Sequence, residues 1–301
     1  MDSKHLSDLT MAAPVRAHGG RPAMPVCGIA VFVGLLATSC TRIDTAPRMD
    51  GYRPPARDRA AVRRTAPPGT SGTAVSPVQT IELGKSIRGV PLTLRLFGSG
   101  RECIFIFGGI HGSEPTSAAL AHQLETYLRS HPDVLAGRSV AVLAAANPDG
   151  LHERQRTNAN GVDLNRNFPA VNWCRAGRGE QGHGQAPGSE PETRAIIRIV
   201  EVLQPTRIVS IHSIARGRHC NNYDGPAEHL ATVMSRFNGY PVQASMGYPT
   251  PGSFGSWAGI DRGIPTITLE LPRDLDEAGC WRENAGALLA FIAADGKRAG
   301  H

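Results

Sequence analysis

None of the six cysteines stands three or four residues from another, so the sequence has no Cys-x2-Cys or Cys-x3-Cys pair. Structural zinc sites are commonly built from such pairs, and their absence disfavours a site of that kind. The four cysteines after residue 78 either pair in one of three ways or pack as small buried side chains. The sequence also lacks an apolar run of the roughly 20 residues that a transmembrane helix requires.

The main body of the chain lacks a net excess of positive charge. The formal net charge is +6, but residues 79–301 account for only +1 of it. A nucleic-acid-binding domain concentrates basic residues on its folded part, so this class of protein is disfavoured. With 41% hydrophobic and 19% charged residues, the chain has the composition of a globular protein. The basic lead that precedes it suits a tether near an anionic surface.

The first 40 residues have the pattern of a bacterial export signal. Arg16 and Arg21 precede an apolar run over residues 26–36, and small residues lead up to Cys40. This order is that of secretory signals, and a final cysteine is typical of lipoproteins. We therefore expect an exported protein, periplasmic or tethered to the membrane through lipidated Cys40. The alternative is a cytoplasmic protein with an unusual N-terminus.

A Pro/Arg-rich linker without periodicity is predicted over residues 41–78, ahead of one catalytic domain over residues 79–301. In that domain, short apolar runs alternate with helical patterns, which predicts an α/β fold: a three-layer sandwich around a mixed, largely parallel sheet. Ligands collect at the carboxyl ends of such strands. Strands are expected at 103–110, 139–146, 207–212 and 266–271. Three helices are expected: the first at 115–129 with Ser113 as its N-cap, the second from a Ser-x-x-Glu capping box at 189–192 to about residue 203, and the third at 283–293.

Two histidines and a glutamate follow the ends of predicted strands. His111 and Glu114 come after the strand at 103–110, in a glycine-rich turn that permits close approach of backbone and ligand. His212 ends the strand at 207–212. Each alone is more often a surface or ion-paired residue, but together they form a His2Glu set, which is known from catalytic zinc sites with one position open for water. We predict one Zn²⁺ per chain, although cobalt or manganese would fit the same ligands.

Glu270 ends the apolar strand predicted at 266–271. A carboxylate is costly to bury without a partner or a task. Near a metal site, Glu270 is the candidate general base, which takes a proton from the attacking water and passes it to the leaving amine. The alternative is an ion-paired glutamate at a strand end.

Residues 161–168, Gly-Val-Asp-Leu-Asn-Arg-Asn-Phe, concentrate polar side chains in a short segment. Arg166 beside Asn165 suits a substrate carboxylate, because a guanidinium binds that group bidentately. Asp163 is a candidate to accept the second ring N–H of a zinc-bound histidine and so fix its tautomer. Arg156, shortly upstream, is a candidate to stabilise charge on a reacting carbonyl. The alternative is a charged loop that only caps a helix.

Several motifs, taken in chain order, resemble the zinc carboxypeptidase superfamily of the M14 type over about residues 80–295. These are HGSE (111–114), NPDG (147–150), GVDLNRNF (161–168), the strand-end His212 and TLELP (268–272). A second set is similar to the murein peptide amidase A-like branch of that superfamily: PGSEPET (187–193), NYDGPA (222–227) and GYPTPGSFGSW (247–257). The resemblance implies the zinc carboxypeptidase fold.

The resemblance also implies an activity, that of a zinc metallopeptidase or amidase of the metallocarboxypeptidase type. It would cleave an amide bond in cell-wall peptides, the γ-D-glutamyl–meso-diaminopimelate bond of murein tripeptide. By this resemblance zinc would be held by His111, Glu114 and His212, with Glu270 as the general base and acid.

The same resemblance implies how substrate is held. Arg156, or its neighbour Arg154, would assist the carbonyl, and Asn165 and Arg166 would grip a carboxylate. Tyr248 stands where the family has a mobile tyrosine over the substrate, but its neighbours differ from those in digestive carboxypeptidases.

Three other functions stay open at this point. The first is a metallocarboxypeptidase acting on α-linked peptides, and the second is a deacylase of small N-acylated amino acids. The third is a noncatalytic wall-binding lipoprotein that keeps the fold. The third would have lost one of the metal ligands or the base, and none is missing from the sequence.

Overall fold

The computed structural model describes residues 78–176, 182–244 and 246–295 of the chain. The predicted signal of residues 1–40, with Cys40, lies outside these described residues, as does the predicted linker of residues 41–78 apart from Val78. Both stay predictions. In the described part of the chain, no helix combines the length and the apolar character needed to cross a membrane.

A single mixed sheet organises the described residues. Its strands are β1 (Gln79–Lys85), β2 (Pro91–Phe97), β3 (Cys103–Phe107), β4 (Ser139–Leu143), β5 (Arg207–Ile214), β6 (Cys220–Asp224), β7 (Val242–Gln243) and β8 (Thr266–Pro272). Their spatial order is β1-β2-β4-β3-β5-β8-β6-β7. The four central strands, β4-β3-β5-β8, are parallel to one another. Antiparallel pairs lie on both sides of them, β1 with β2, β2 with β4, and β6 with β8. The predicted mixed, largely parallel sheet is confirmed.

Helices cover both faces of the sheet and complete the three layers. They are α1 (Pro115–Ser130), α2 (Pro148–Glu153), α3 (Pro191–Leu203), α4 (Glu228–Asn238) and α5 (Glu277–Ala293), with a π-helix at Gly255–Asp261. Apolar side chains of α1, α4 and α5 share one core with one face of the sheet. Those of α3 and the π-helix share a second core with the other face.

The strand β3 explains why the central strands appear as unbroken apolar runs. Ile104 and Ile106 point into the core under α1, α4 and α5, whereas Phe105 and Phe107 point into the core under α3. Because side chains alternate between the two faces and both faces are covered, every position of the strand must be apolar.

Some predicted boundaries and caps are wrong. β3 ends at Phe107 instead of residue 110, because the next residues turn away to carry His111. α5 begins at Glu277 instead of residue 283, because Asp276 caps it by accepting a hydrogen bond from Gly279 N at 2.7 Å.

The two serine caps proposed from the sequence do not form. The N-caps of α1 and α3 are Glu114 and Glu190, and neither makes a side-chain capping bond. Ser189 Oγ instead donates to the Glu190 carboxylate, so the capping box at 189–192 is absent. Pro115 and Pro191 begin the two helices, where a missing N–H costs nothing.

Two of the cysteines whose state the sequence left open are buried as thiols. Cys220 lies in β6 and Cys280 in α5, neither in a disulfide. Burial raises the pKa of Cys220 to about 12 and that of Cys280 to about 11. Both therefore pack as small neutral side chains.

Arg207 joins the amino end of β5 to the last turn of α5. Its side chain is fully buried. Its Nε donates to Phe291 O at 3.0 Å and its Nη2 to Ile292 O at 2.9 Å, while Nη1 contacts the Glu102 carboxylate. Carbonyls at a helix C-terminus lack helical partners and carry partial negative charge. A buried guanidinium satisfies them and neutralises Glu102.

Replacing Arg207 by Met should lower the free energy of unfolding by about 3 kcal/mol, because a buried ionic network loses one partner. The loss lies at the lower end of the usual range, since Glu102 is partly exposed and keeps its contact with Arg138. Urea unfolding followed by far-UV circular dichroism measures it. Arg216→Met, which breaks an exposed pair with Asp274, is the matched control and should change nothing measurable. Equal stabilities of the two variants would contradict this role for Arg207.

Candidate active site

The predicted metal ligands and base come from three adjacent parallel strands. His111 and Glu114 follow β3, His212 lies near the end of β5, and Glu270 lies in β8. In the ladder between β5 and β8, His212 is directly opposite Glu270. Since the carboxyl ends of parallel strands meet at one edge of a sheet, side chains far apart in sequence converge here.

The side chains of His111, Glu114 and His212 form one buried cluster, whose ligand atoms all lie within 4.8 Å of one another. His111 Nδ1 is 3.0 Å from Glu114 Oε1, and His212 Nδ1 is 3.1 Å from Glu114 Oε2. The two Nδ1 atoms are 3.2 Å apart. The structure therefore brings together the three residues that the sequence proposed as ligands.

The donor set of this cluster fits a cation. His111 Nε2 lies 3.0 Å from Asp163 Oδ1, and a ring N–H donated there leaves Nδ1 as an unprotonated acceptor. Two imidazole nitrogens and a carboxylate then face one another, an arrangement that repels itself unless a cation lies between them. Two histidines and one glutamate are a known zinc set with an open coordination position.

The charges of the cluster are strongly coupled. Burial opposes a charge on His111, but the carboxylates of Glu114 and Asp163 outweigh it and raise the pKa of His111 to about 9. Burial likewise opposes ionisation of Glu114, yet the two histidines hold the pKa of its carboxyl well below its usual range. The pocket thus concentrates negative charge that a proton or a metal ion can neutralise, and the two compete for it.

The turn that carries His111 rests on the Asn-Pro-Asp-Gly segment. A Cβ atom on Gly112 would lie 1.9 Å from the carbonyl carbon of Gly150, so only glycine permits this approach. Asn147 Nδ2 donates to Ile110 O at 3.2 Å and to Thr157 O at 3.1 Å. Two motifs that are separate in the sequence are therefore one packed unit beneath the metal ligands.

Asp163 connects the cluster to the residues around it. Besides His111, its carboxylate accepts from Arg156 Nε at 2.9 Å and from Asn165 N at 2.9 Å. Burial alone would raise the pKa of Asp163, but His111, Arg156 and Arg166 together hold it well below its usual range. Arg156 also approaches Glu114, with Nη1 3.4 Å from Oε1. One buried carboxylate thus orients a metal ligand, an arginine and the start of the Asn165–Arg166 segment.

A cavity of about 340 Å³ opens beside the cluster. Of the nine site residues proposed from the sequence, eight line it and Asp163 lies buried behind His111. The eight are His111, Glu114, Arg156, Asn165, Arg166, His212, Tyr248 and Glu270. Arg154 is exposed at the end of α2 and is not among the lining residues, so the geometry favours Arg156 of the two arginines.

Glu270 is 7% exposed, and burial, with the nearby Glu114 carboxylate, raises its pKa. A desolvated carboxylate of raised pKa is a stronger proton acceptor than one in water.

Tyr248 is 44% exposed at the rim of the cavity, with the Arg218 guanidinium 5.7 Å from its ring centre.

The sequence reasoning missed one wall of this cavity. Asn222 and Asp224 of β6 line it, together with Thr268 of the neighbouring β8. β6 has the polar sequence Cys-Asn-Asn-Tyr-Asp and therefore lacks the apolar pattern of a strand. The available signal was the spacing of two residues between Asn222 and Asp224, which places both side chains on one face of a strand.

The chain is a metallohydrolase of the metallopeptidase type. This class is defined by an α/β sandwich that carries a His2Glu cluster at its strand ends and a buried carboxylate opposite one ligand. The comparison with family models agrees, because the zinc carboxypeptidase model (Peptidase_M14) matches residues 73–278. The chain belongs to the zinc carboxypeptidase family and is a zinc-dependent hydrolytic enzyme.

Individual relatives add detail. The chain is 36% identical to murein peptide amidase A of Escherichia coli K12 over 212 residues, which cover 65% of this chain and 82% of that protein. The crystal structure of murein-tripeptide amidase MpaA from Escherichia coli O157 superposes with a TM-score of 0.58 at 31% identity, covering 74% of this chain and 94% of that one. Bovine thrombin-activatable fibrinolysis inhibitor has a TM-score of 0.62 at 22% identity, over 72% of this chain and 89% of that one, which shows a shared fold.

Replacing Asp163 by Asn should weaken zinc binding about 10- to 100-fold, because the neutral amide no longer fixes the His111 tautomer or supports its basicity. Competition for zinc against a chromophoric chelator measures the affinity. Asp274→Asn, which removes a carboxylate of the same size from the exposed pair with Arg216, should leave the affinity unchanged. Wild-type affinity in the Asp163 variant would show that Asp163 does not support the metal site.

Proposed function

We propose that this chain is an amidase of cell-wall peptides that holds one zinc ion and cleaves the γ-D-glutamyl–meso-diaminopimelate bond of murein tripeptide. The observation that carries the proposal is the placement of the His2Glu cluster, the buried Glu270 and the Asn165–Arg166 pair around one cavity. The choice of substrate is supported by the relatives, which are murein peptide amidase A and murein-tripeptide amidase.

The chemistry divides between metal and protein. Zinc held by His111, Glu114 and His212 would act as a Lewis acid on the scissile carbonyl and would lower the pKa of water. Glu270, opposite His212 in the sheet, accepts the proton of the attacking water and returns it to the departing amine. Its burial supports both roles, because a raised pKa makes the carboxylate a better base and the carboxylic acid easy to form.

Arg156 provides positive charge beside the reacting carbonyl. Its Nε is fixed by Asp163 and its Nη1 approaches Glu114, so the guanidinium is held in place before substrate binds. Donors that are already oriented stabilise the charge that develops on the carbonyl oxygen without having to reorganise.

Asn165 and Arg166 are suited to the free carboxylate of the residue released by cleavage. Asn165 Oδ1 accepts from Phe254 N at 2.8 Å, which leaves its Nδ2 group as the donor for a ligand. Arg166 Nη1 donates to the backbone carbonyl of Asn165 at 2.8 Å, and both residues line the cavity. Adjacent N–H donors of this kind bind a carboxylate with two hydrogen bonds.

The substrate proposal is tested with L-Ala-γ-D-Glu-meso-diaminopimelate, its α-linked isomer and a set of N-acylated amino acids. We expect the γ-linked peptide to be hydrolysed fastest, activity to disappear with a chelator, and zinc to restore it. Product analysis by mass spectrometry identifies the bond. Preference for the α-linked peptide would instead indicate a general carboxypeptidase, and preference for N-acyl amino acids a deacylase. Turnover that is insensitive to the chelator would exclude the mechanism.

Replacing Glu270 by Gln should lower kcat about 10²- to 10⁴-fold, the usual contribution of a general base, while zinc stays bound. The amide has the size of the carboxylate but cannot accept the proton. Steady-state kinetics and metal analysis on the same preparation provide the two readouts. Wild-type turnover would show that Glu270 is not the base, and loss of zinc would show that it supports the metal instead.

A further inference from the structure

Four arginines of the described residues line the active-site cavity, and the proposed chemistry uses only two of them, Arg156 and Arg166. The other two are Arg218, in the turn before β6, and Arg273, which directly follows β8. Both are exposed at the surface end of the cavity, and we call them the outer arginines. They bring a second group of positive charge to the cavity that has no role in the steps described above.

The ladder between β6 and β8 shows on which side of the base the outer arginines lie. Cys220 of β6 is opposite Glu270 of β8, and the two strands are antiparallel. Chain positions before Cys220 and after Glu270 therefore belong to the same end of the ladder. Arg218 precedes Cys220 by two residues and Arg273 follows Glu270 by three. Both arginines thus lie beyond the base at that end.

The residues assigned to the released part of the substrate lie at the opposite end of the ladder. The Asn165 side chain, beside Arg166, accepts a hydrogen bond from Phe254 N at the start of the π-helix. The π-helix packs closely on Asp224, because a Cβ atom on Gly255 would lie 2.1 Å from Asp224 Oδ2. Asp224 is the last residue of β6, at the end away from the outer arginines. The outer arginines therefore face the acyl part of a bound substrate.

Arg273 is fixed beside the metal cluster by the end of β5. Its backbone N donates to Ile214 O at 2.8 Å, and its Nη2 donates to Ser213 O at 3.1 Å. Ser213 directly follows the ligand His212, and its own N donates to Glu114 Oε2 at 3.0 Å. The Arg273 guanidinium is therefore held close to the position where the scissile carbonyl would meet the metal.

The outer arginines keep N–H donors for a ligand. Arg273 uses one side-chain nitrogen on Ser213, and Arg218 Nη2 makes only a long contact, 3.4 Å, with a backbone carbonyl. Within the described part of the chain neither guanidinium has a carboxylate partner, since Asp274, the neighbour of Arg273, pairs with Arg216 instead. A guanidinium has five N–H donors and no acceptor. Most of these donors are therefore available to an anionic group in the cavity.

The acyl part of the proposed substrate carries such a group. In a γ-D-glutamyl residue the side-chain carbonyl belongs to the scissile bond, and the α-carboxylate stays free. Three carbon atoms separate this carboxylate from the scissile carbonyl, so it lies near the metal whenever the carbonyl does. Arginine binds carboxylates through charge-assisted and frequently bidentate hydrogen bonds.

We propose that Arg218 and Arg273 form a subsite for the free α-carboxylate of the glutamyl residue on the acyl side of the scissile bond. This inference rests on the proposed function, which supplies the γ-D-glutamyl residue. The subsite selects acyl residues that carry a carboxylate at this distance over neutral residues of the same shape. Arg166 and the outer arginines then bind the carboxylates on the two sides of the scissile bond.

The test compares L-Ala-γ-D-Glu-meso-diaminopimelate with L-Ala-γ-D-isoglutaminyl-meso-diaminopimelate, in which an amide replaces the acyl-side carboxylate. Wild-type enzyme should hydrolyse the acid with a kcat/KM about 10-fold higher, the lower end for contacts to a charged group because both arginines are exposed. The α-linked D-Glu and D-Gln peptides are assayed in parallel. Their side-chain carboxylate or amide is also three carbon atoms from the scissile carbonyl.

Arg218→Gln and Arg273→Gln each remove one guanidinium and keep a polar side chain. Each should lower the acid-to-amide ratio about 3-fold, half of the total on a logarithmic scale, and the double variant should bring it close to one. The loss should fall on the acid peptide, because the amide offers no charge. Arg236→Gln, on the exposed side of α4 and outside the cavity lining, is the matched control and should keep the wild-type ratio. Zinc content and circular dichroism verify that each variant is folded.

The possible failures are distinguishable. A wild-type enzyme that cleaves acid and amide equally, or a double variant that loses activity on both alike and so keeps the wild-type ratio, would overturn the subsite and leave the amidase proposal standing. Hydrolysis of the α-linked peptides alone would overturn the γ-linkage proposal. The acid-to-amide ratio in that series, compared between wild type and the double variant, would then still support or overturn the subsite.

Discussion

The hydrogen bond between His111 Nε2 and Asp163 is the contact on which the rest of the site depends. It leaves His111 Nδ1 as an acceptor directed at His212 and Glu114, and so creates a cluster that a cation stabilises. The same carboxylate holds Arg156 and the backbone of Asn165. Metal binding, stabilisation of the carbonyl and recognition of a carboxylate are therefore linked through one buried side chain.

One strand of the sheet, β5, has a stabilising contact at one end and a metal ligand near the other. β5 begins with Arg207, which binds the end of α5, and carries His212 near its other end. The residues between them are buried on both faces, so the strand is a rigid connection from the structural network to the metal cluster. This arrangement suits a catalytic site, because a side chain on a packed strand is held in position more precisely than one on a loop.

The cavity has opposite polarities in two regions. Arg156 and Arg166 make the region near Asp163 positive, whereas Asn222 and Asp224 place an amide and a carboxylate further along β6. The close packing of the π-helix against Asp224 shows that this wall depends on glycine as much as on the charged side chain itself.

The sequence alone was sufficient for the fold class and for the meeting of His111, Glu114 and His212 beside Glu270. Unbroken apolar runs indicate strands covered on both faces, and a polar residue that ends such a run is conspicuous. Only the tertiary structure placed Glu270 opposite His212 and showed that Arg156, and not Arg154, lines the cavity. It also showed that Glu114 and Glu190 are the N-caps of α1 and α3. It also showed that the polar segment at β6 is a strand whose Asn222 and Asp224 face the site. The physical reason is the range of the interactions. Burial and periodicity leave a local imprint on the chain, whereas strand register, and the choice of which polar side chain faces a cavity, are decided by contacts between residues far apart in sequence.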